Sequence, residues 1–65
     1  MNIGNNIKKL RQQNNLTQAH LAKKLGVTFQ AVSKWENNLS SPDIELLPKI
    51  ANIFGVSIDM LFISI

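Results

Sequence analysis

The stretch from Thr17 to Asn38, TQAHLAKKLGVTFQAVSKWENN, constrains the fold more than any other part of the chain. Leu21 and Ala22 lie four and three residues before Leu25, Gly26 interrupts, and Val32 and Trp35 resume a helical spacing after a second start signal. Thr17 is an N-cap, with Leu16 and Leu21 placed to form a hydrophobic staple around it. Val27, Thr28 and Val32 repeat that arrangement. Gly26 falls at the C′ position, where the backbone takes a positive φ that glycine adopts without strain. The pattern predicts helices over 18–25 and 29–37, joined by a link so short that they must cross at a steep angle. Ala22 lets them approach closely, while Val32 and Trp35 face the core.

The flanking segments supply support for that pair. Asn2 to Asn14 sets Ile3, Ile7, Leu10 and Arg11 along one stripe, a first amphipathic helix showing Lys8, Lys9 and Gln12 on its other face. Arg11 sits at the stripe's edge, a position better suited to a partly buried ion pair than to a free phosphate contact. Pro42 to Phe54 carries Ile44, Leu47, Ile50, Ala51 and Phe54 at helical spacing. Pro48 lacks an N–H and belongs in a first turn, so either Ile44 to Leu47 forms a separate turn or the regular helix begins near Leu47 or Pro48. Gly55 ends that helix, and Ser57 caps a short fifth one over about Ile58 to Phe62. The terminal Phe62, Ile63 and Ile65 either fold back over the first helix or meet a partner.

The chain therefore reads as all-α, a compact bundle of five short helices forming one domain over residues 1–65. A domain of 65 residues hides only about 60% of its unfolded surface, which favours local, helical contacts. It has no cysteine, so neither a disulfide framework nor a thiolate metal site is expected, in keeping with a reducing cytoplasm. One histidine and four carboxylates do not make a metal centre. His20 has no neighbouring carboxylate in sequence, and no catalytic residue and no cofactor are expected. The apolar run from Ile53 to Ile65 is broken by Gly55, Ser57 and Asp59 and is too short to span a membrane, so a soluble protein is expected.

Charge divides the chain. Residues 1–35 carry six basic and no acidic residues, whereas 36–65 carry Lys49 against Glu36, Asp43, Glu45 and Asp59, giving halves of +6 and −3. Such an asymmetry fits a polyanion-facing side and an acidic back. A solvated basic face without a partner would give the same balance.

The segment Gln18 to Asn37, with SSPDIE from Ser40 to Glu45 and IFGVSIDML from Ile53 to Leu61, resembles the helix-turn-helix regulators of the lambda-repressor, Cro and xenobiotic-response-element family. Gln18 matches the polar residue opening the first motif helix, Ala22 the small residue, Gly26 the turn glycine, and Val32 and Trp35 the buried pair. Arg11 and Glu36 match an ion pair that ties the first helix to the second motif helix. Two departures stand out: Asn38 replaces a common glycine, and Leu39 replaces a frequent lysine, at the expense of one backbone contact to DNA.

The resemblance implies a lambda-repressor-like DNA-binding domain whose second motif helix enters the major groove. Thr28, Phe29, Gln30, Ser33 and Lys34 are then the residues that reach base edges. Gln30 offers a donor and an acceptor to adenine, Lys34 can donate to guanine or to a phosphate, and Phe29 and the Thr28 methyl can pack on a thymine methyl. The alternative for Phe29 is packing on the loop after Asn37. Thr17, Gln18, Asn37, Asn38 and Ser40 are the expected phosphate contacts. A single motif reads few base pairs, so the expected partner is operator DNA with an inverted repeat bound by a homodimer through Met60, Leu61, Phe62 and Ile63. A transcriptional regulator, most simply a repressor, follows, with no small-molecule substrate. The competing expectation is a protein-interaction module that keeps the fold without reading bases, for which Phe29 and Leu39 speak.

Overall fold

The computed structural model describes residues 3–63. Among these residues four α-helices occur, α1 (Ile3–Gln13), α2 (Gln18–Leu25), α3 (Phe29–Glu36) and α4 (Leu47–Phe54), with 3-10 turns at Ile44–Leu46 and Ile58–Leu61 and no strand. The expected helix start at Asn2 and the terminal Ile65 lie outside the described residues.

Both motif helices start as their sequences require. Thr17 Oγ1 accepts the His20 N–H at 3.0 Å and Thr28 Oγ1 accepts that of Ala31 at 3.2 Å, satisfying donors that a helix start leaves open. All four helices end by one device. Asn15, Gly26, Asn38 and Gly55 take the left-handed conformation, with φ of 57°, 72°, 59° and 68°. The next residue's N–H then closes on the carbonyl five positions back: Leu16 to Arg11, Val27 to Ala22, Leu39 to Lys34 and Val56 to Ala51, at 2.9–3.0 Å. Asparagine does at two of these ends what glycine does at the other two, because its short polar side chain tolerates this region better than most.

The core is formed by Ile7 and Leu10 of α1, Leu21, Ala22 and Leu25 of α2, Val32 and Trp35 of α3, Ile50, Ala51 and Phe54 of α4, and Leu61. α1 and α4 thus hold α2 and α3 from behind, leaving the outer side of α3 to solvent. No helix among the described residues is long and apolar enough to cross a membrane.

Three expectations are corrected. The fifth helix is a 3-10 turn over Ile58–Leu61, because the chain folds back there and its last carbonyls go elsewhere: Asn6 Nδ2 donates to Leu61 O at 2.9 Å and to Ile63 O at 2.8 Å. α3 ends at Glu36, one residue early, with Asn37 already outside helical geometry at φ −96°, ψ 8°. Ile44 leaves the apolar stripe and is 79% exposed. The reason is the separate turn at Ile44–Leu46, which resets the helical phase before α4 begins with Pro48 in its first turn.

Two buried α1 residues were not singled out from sequence. Gly4 meets the C-terminal end of α3 so closely that a Cβ there would lie 2.0 Å from Trp35 O and 2.8 Å from Asn38 Oδ1. Asn6 is 3% exposed and fastens α1 to the C-terminal turn. Both had a signal: a glycine in a helix is costly unless something needs the space, and Asn6 shares the i, i+3, i+4 spacing of Ile3 and Ile7.

Candidate nucleic-acid interface

α3 presents its two faces unequally. Val32 and Trp35 are buried, while Thr28, Phe29, Gln30, Lys34 and Asn37 are exposed and Ser33 is half-buried. Five of these, Thr28, Phe29, Gln30, Ser33 and Lys34, form one continuous outer strip from the N-terminal cap to the last turn. Phe29 is 52% exposed, so its ring is not packed away on the loop after Asn37.

The far end of α3 is fixed by a network of charges. Glu36, 7% exposed, receives Arg11 Nε on Oε2 at 2.7 Å and Arg11 Nη2 on Oε1 at 3.0 Å, a two-pronged pair. Arg11 Nη1 also donates to Leu16 O at 2.7 Å, which steadies the approach to α2. Gln18 Nε2 completes the set by donating to Glu36 Oε1 at 3.0 Å. One carboxylate thus joins α1, the start of α2 and the end of α3.

That junction brings Thr17 and Gln18 to the same end of the motif as Asn37 and Asn38, opposite the end formed by Thr28, Phe29 and Gln30. Several of these groups are engaged within the chain. Thr17 Oγ1 is occupied by its cap, Asn37 Nδ2 donates to Ser33 O at 2.9 Å, and Asn38 Oδ1 lies against α1 beside Gly4. Ser40 is exposed in the following loop, next to Leu39 at 74% exposure. The bond from Gln18 to Glu36 was not foreseen; the two residues lie 18 apart, and periodicity within one helix does not reveal a bond between helices.

Lys8, Lys9, Lys23, Lys24 and Lys34 are exposed, and Arg11 is paired with the buried Glu36. The positive charge of the first half is therefore carried at the surface by lysines on α1, α2 and α3. The other three carboxylates, Asp43, Glu45 and Asp59, lie at the second half's surface.

A family model described as "Helix-turn-helix" matches residues 7–61. The chain belongs to the helix-turn-helix transcriptional regulators. This helix-turn-helix chain is 46% identical over 59 residues to the regulator MJ0272 of Methanocaldococcus jannaschii, covering 91% of the chain and 89% of that relative. It is 45% identical over 56 residues to the regulator YqaE of Bacillus subtilis, covering 86% of the chain but 48% of YqaE, so it spans about half of that longer relative. Its fold matches the P22 c2 repressor, solved with a synthetic operator, at a TM-score of 0.84 and 32% identity over 91% of this chain and 89% of the repressor.

Proposed function

We propose that this chain binds double-stranded DNA in a sequence-specific manner with α3 in the major groove, and represses transcription by occupying an inverted-repeat operator as a homodimer. The observation that carries the reading is the outer strip of α3, polar apart from Phe29 and uncharged apart from Lys34, held on a buried frame by Val32, Trp35 and the Arg11–Glu36 pair. A helix held this firmly keeps its orientation when it docks, as recognition through a few base contacts requires. The relative solved with operator DNA supports the same mode.

In this reading Gln30 takes adenine through a planar pair of hydrogen bonds, Lys34 donates to guanine or a phosphate, and Phe29 and the Thr28 methyl cover a thymine methyl. Ser33 supplies a hydroxyl to either partner. Thr17, Gln18 and Asn37 meet the backbone at the other end, with main-chain N–H groups of the α2 start contributing; Asn38 and Ser40 complete the loop contact. The surface lysines supply the long-range attraction. A protein acting on the chromosome in this way works in the cytoplasm.

For the homodimer, Leu61 is withdrawn from the contact surface because it is 0% exposed and belongs to the core. Ile63, 51% exposed, remains with the half-buried Met60 and Phe62, beside an apolar groove lined by Ile3, Pro42, Ile44 and Leu47. Sedimentation with and without operator DNA tests this: a chain monomeric in both conditions sinks the dimer.

The deciding experiment is selection of bound duplexes from a randomised pool at near-physiological salt, with Gln30→Ala run in parallel. An enriched inverted repeat, with preference relaxed at one position in the variant by about 1–3 kcal/mol, is the expected result. A folded chain that enriches nothing and binds duplex without steep salt dependence would instead fit an interaction module presenting Phe29 and Leu39.

A further inference from the structure

We propose that Glu36 is a positioning residue for DNA binding, acting through Gln18: its carboxylate orders the Gln18 side chain in the free protein so that the amide's second N–H faces a backbone phosphate. The inference rests on the DNA-binding reading above and adds a role that the outer strip of α3 does not contain.

Three observations carry it. Glu36 Oε1 receives both Arg11 Nη2 and Gln18 Nε2 at 3.0 Å, so the glutamine is tied to a group that is itself locked by a two-pronged pair. An ionised carboxylate only accepts hydrogen bonds, so the Gln18 amide must turn its NH2 toward Glu36, and its carbonyl oxygen must turn away; the amide's orientation is decided by chemistry. Finally, Gln18 is the first residue of α2, where Thr17 Oγ1 takes the His20 N–H while the earlier main-chain N–H groups have no partner within the helix. The half-buried Gln18 thus keeps one side-chain N–H beside main-chain donors, all at the end of the motif that faces the DNA backbone.

Ordering in advance matters because a free glutamine loses rotamer freedom when it docks, and that loss subtracts from affinity. A Gln18 already held by Glu36 has lost that freedom on folding. Arg11 is part of the device because its two-pronged pair keeps the Glu36 carboxylate aimed, although its guanidinium is itself committed to Glu36 and Leu16.

The test is a double-mutant cycle read on the selected operator duplex, using the full chain. Gln18→Ala is expected to weaken binding about tenfold, as loss of a hydrogen bond to a charged group does, without changing the salt slope, since a neutral side chain displaces no counterion. The joint replacement Arg11→Met with Glu36→Leu removes the anchor while leaving no buried charge unpaired, so the domain is expected to stay folded. In that background Gln18→Ala should cost less than about threefold, the anchor's loss having already removed most of the contact. An equal cost in both backgrounds, or none in the native one, overturns the proposal.

A second measurement needs no variant. Nitrogen relaxation of the free native chain should give the Gln18 side-chain amide an order parameter approaching the roughly 0.85 of rigid backbone, with the exposed Gln12, Gln13 and Gln30 below about 0.6. A Gln18 amide as mobile as those three overturns the proposal even if the joint variant fails to fold. A native chain that shows no steeply salt-dependent duplex binding refutes the underlying DNA-binding reading, a result distinguishable from a DNA-binding chain whose Gln18 is mobile.

Discussion

Replacing Asn6 with alanine removes two hydrogen bonds at one stroke, those from Nδ2 to Leu61 O at 2.9 Å and to Ile63 O at 2.8 Å. Asn6 is 3% exposed, so water does not readily take the place of the lost amide. Each intramolecular bond contributes about 0.5–1.5 kcal/mol net, and leaving the Leu61 carbonyl buried without its partner adds to that, giving an expected loss of about 2–3 kcal/mol. A domain of 65 residues holds roughly 3–10 kcal/mol in all at the usual value per residue, so this one side chain accounts for a large share. The melting temperature should fall by about 10–20 °C. Urea and thermal unfolding followed by helical circular dichroism read both quantities. Asn6→Asp separates hydrogen bonding from cavity formation: it keeps the shape but sets an ionised carboxylate against two carbonyl oxygens. It should destabilise at least as much near neutral pH. Protonation restores one donor, so the folded-state carboxyl titrates above its unfolded range, and part of the stability should return as pH falls through that titration. An Asn6→Ala variant within about 0.5 kcal/mol of the native chain, the range of an ordinary surface change, would refute the assignment of Asn6 as the tie between α1 and the C-terminal turn.

Other substitutions test the remaining supports of the motif. Gly4→Ala gains about 1 kcal/mol of helix propensity, yet its Cβ would lie 2.0 Å from a main-chain oxygen that cannot swing aside, so a net loss of about 1–3 kcal/mol in urea unfolding is expected. Glu36→Leu alone strands a guanidinium whose side chain is 12% exposed and should cost about 3–5 kcal/mol, whereas Arg11→Met with Glu36→Leu should lie much nearer the native stability; equal losses would contradict the view of Glu36 and Arg11 as a mutually compensated pair. Phe29→Ala should leave the melting temperature within a few degrees, because the ring is 52% exposed, while weakening operator binding in a fluorescence titration; a large loss of stability would return Phe29 to a packing role.

Much of the motif was legible in the residues themselves, because its signals are local. Thr17 and Thr28 cap helices wherever a chain leaves N–H groups open, Gly26 stops a helix within its own turn, and the spacing of Leu21, Ala22, Leu25, Val32 and Trp35 assigns their faces without knowledge of what lies opposite. The phase of Ile44 was less legible: a 3-10 turn and an α-helix share nearly the same apolar spacing over one turn, and only the geometry before Pro48 separates them.

Sequence alone determined the all-helical class and the positions of the motif helices, since each follows from the backbone's near-neighbour rules or from a pattern that those rules impose; the pairing of Arg11 with Glu36, 25 residues apart, came from the family resemblance instead. Tertiary structure alone decided which polar groups are spent inside the molecule. Asn6 turned out to fasten the chain's two ends, Gly4 to admit the carbonyl of Trp35, and Gln18 to lean on Glu36. Each of these depends on the distance between elements remote in sequence, and that distance is set by how the whole core packs.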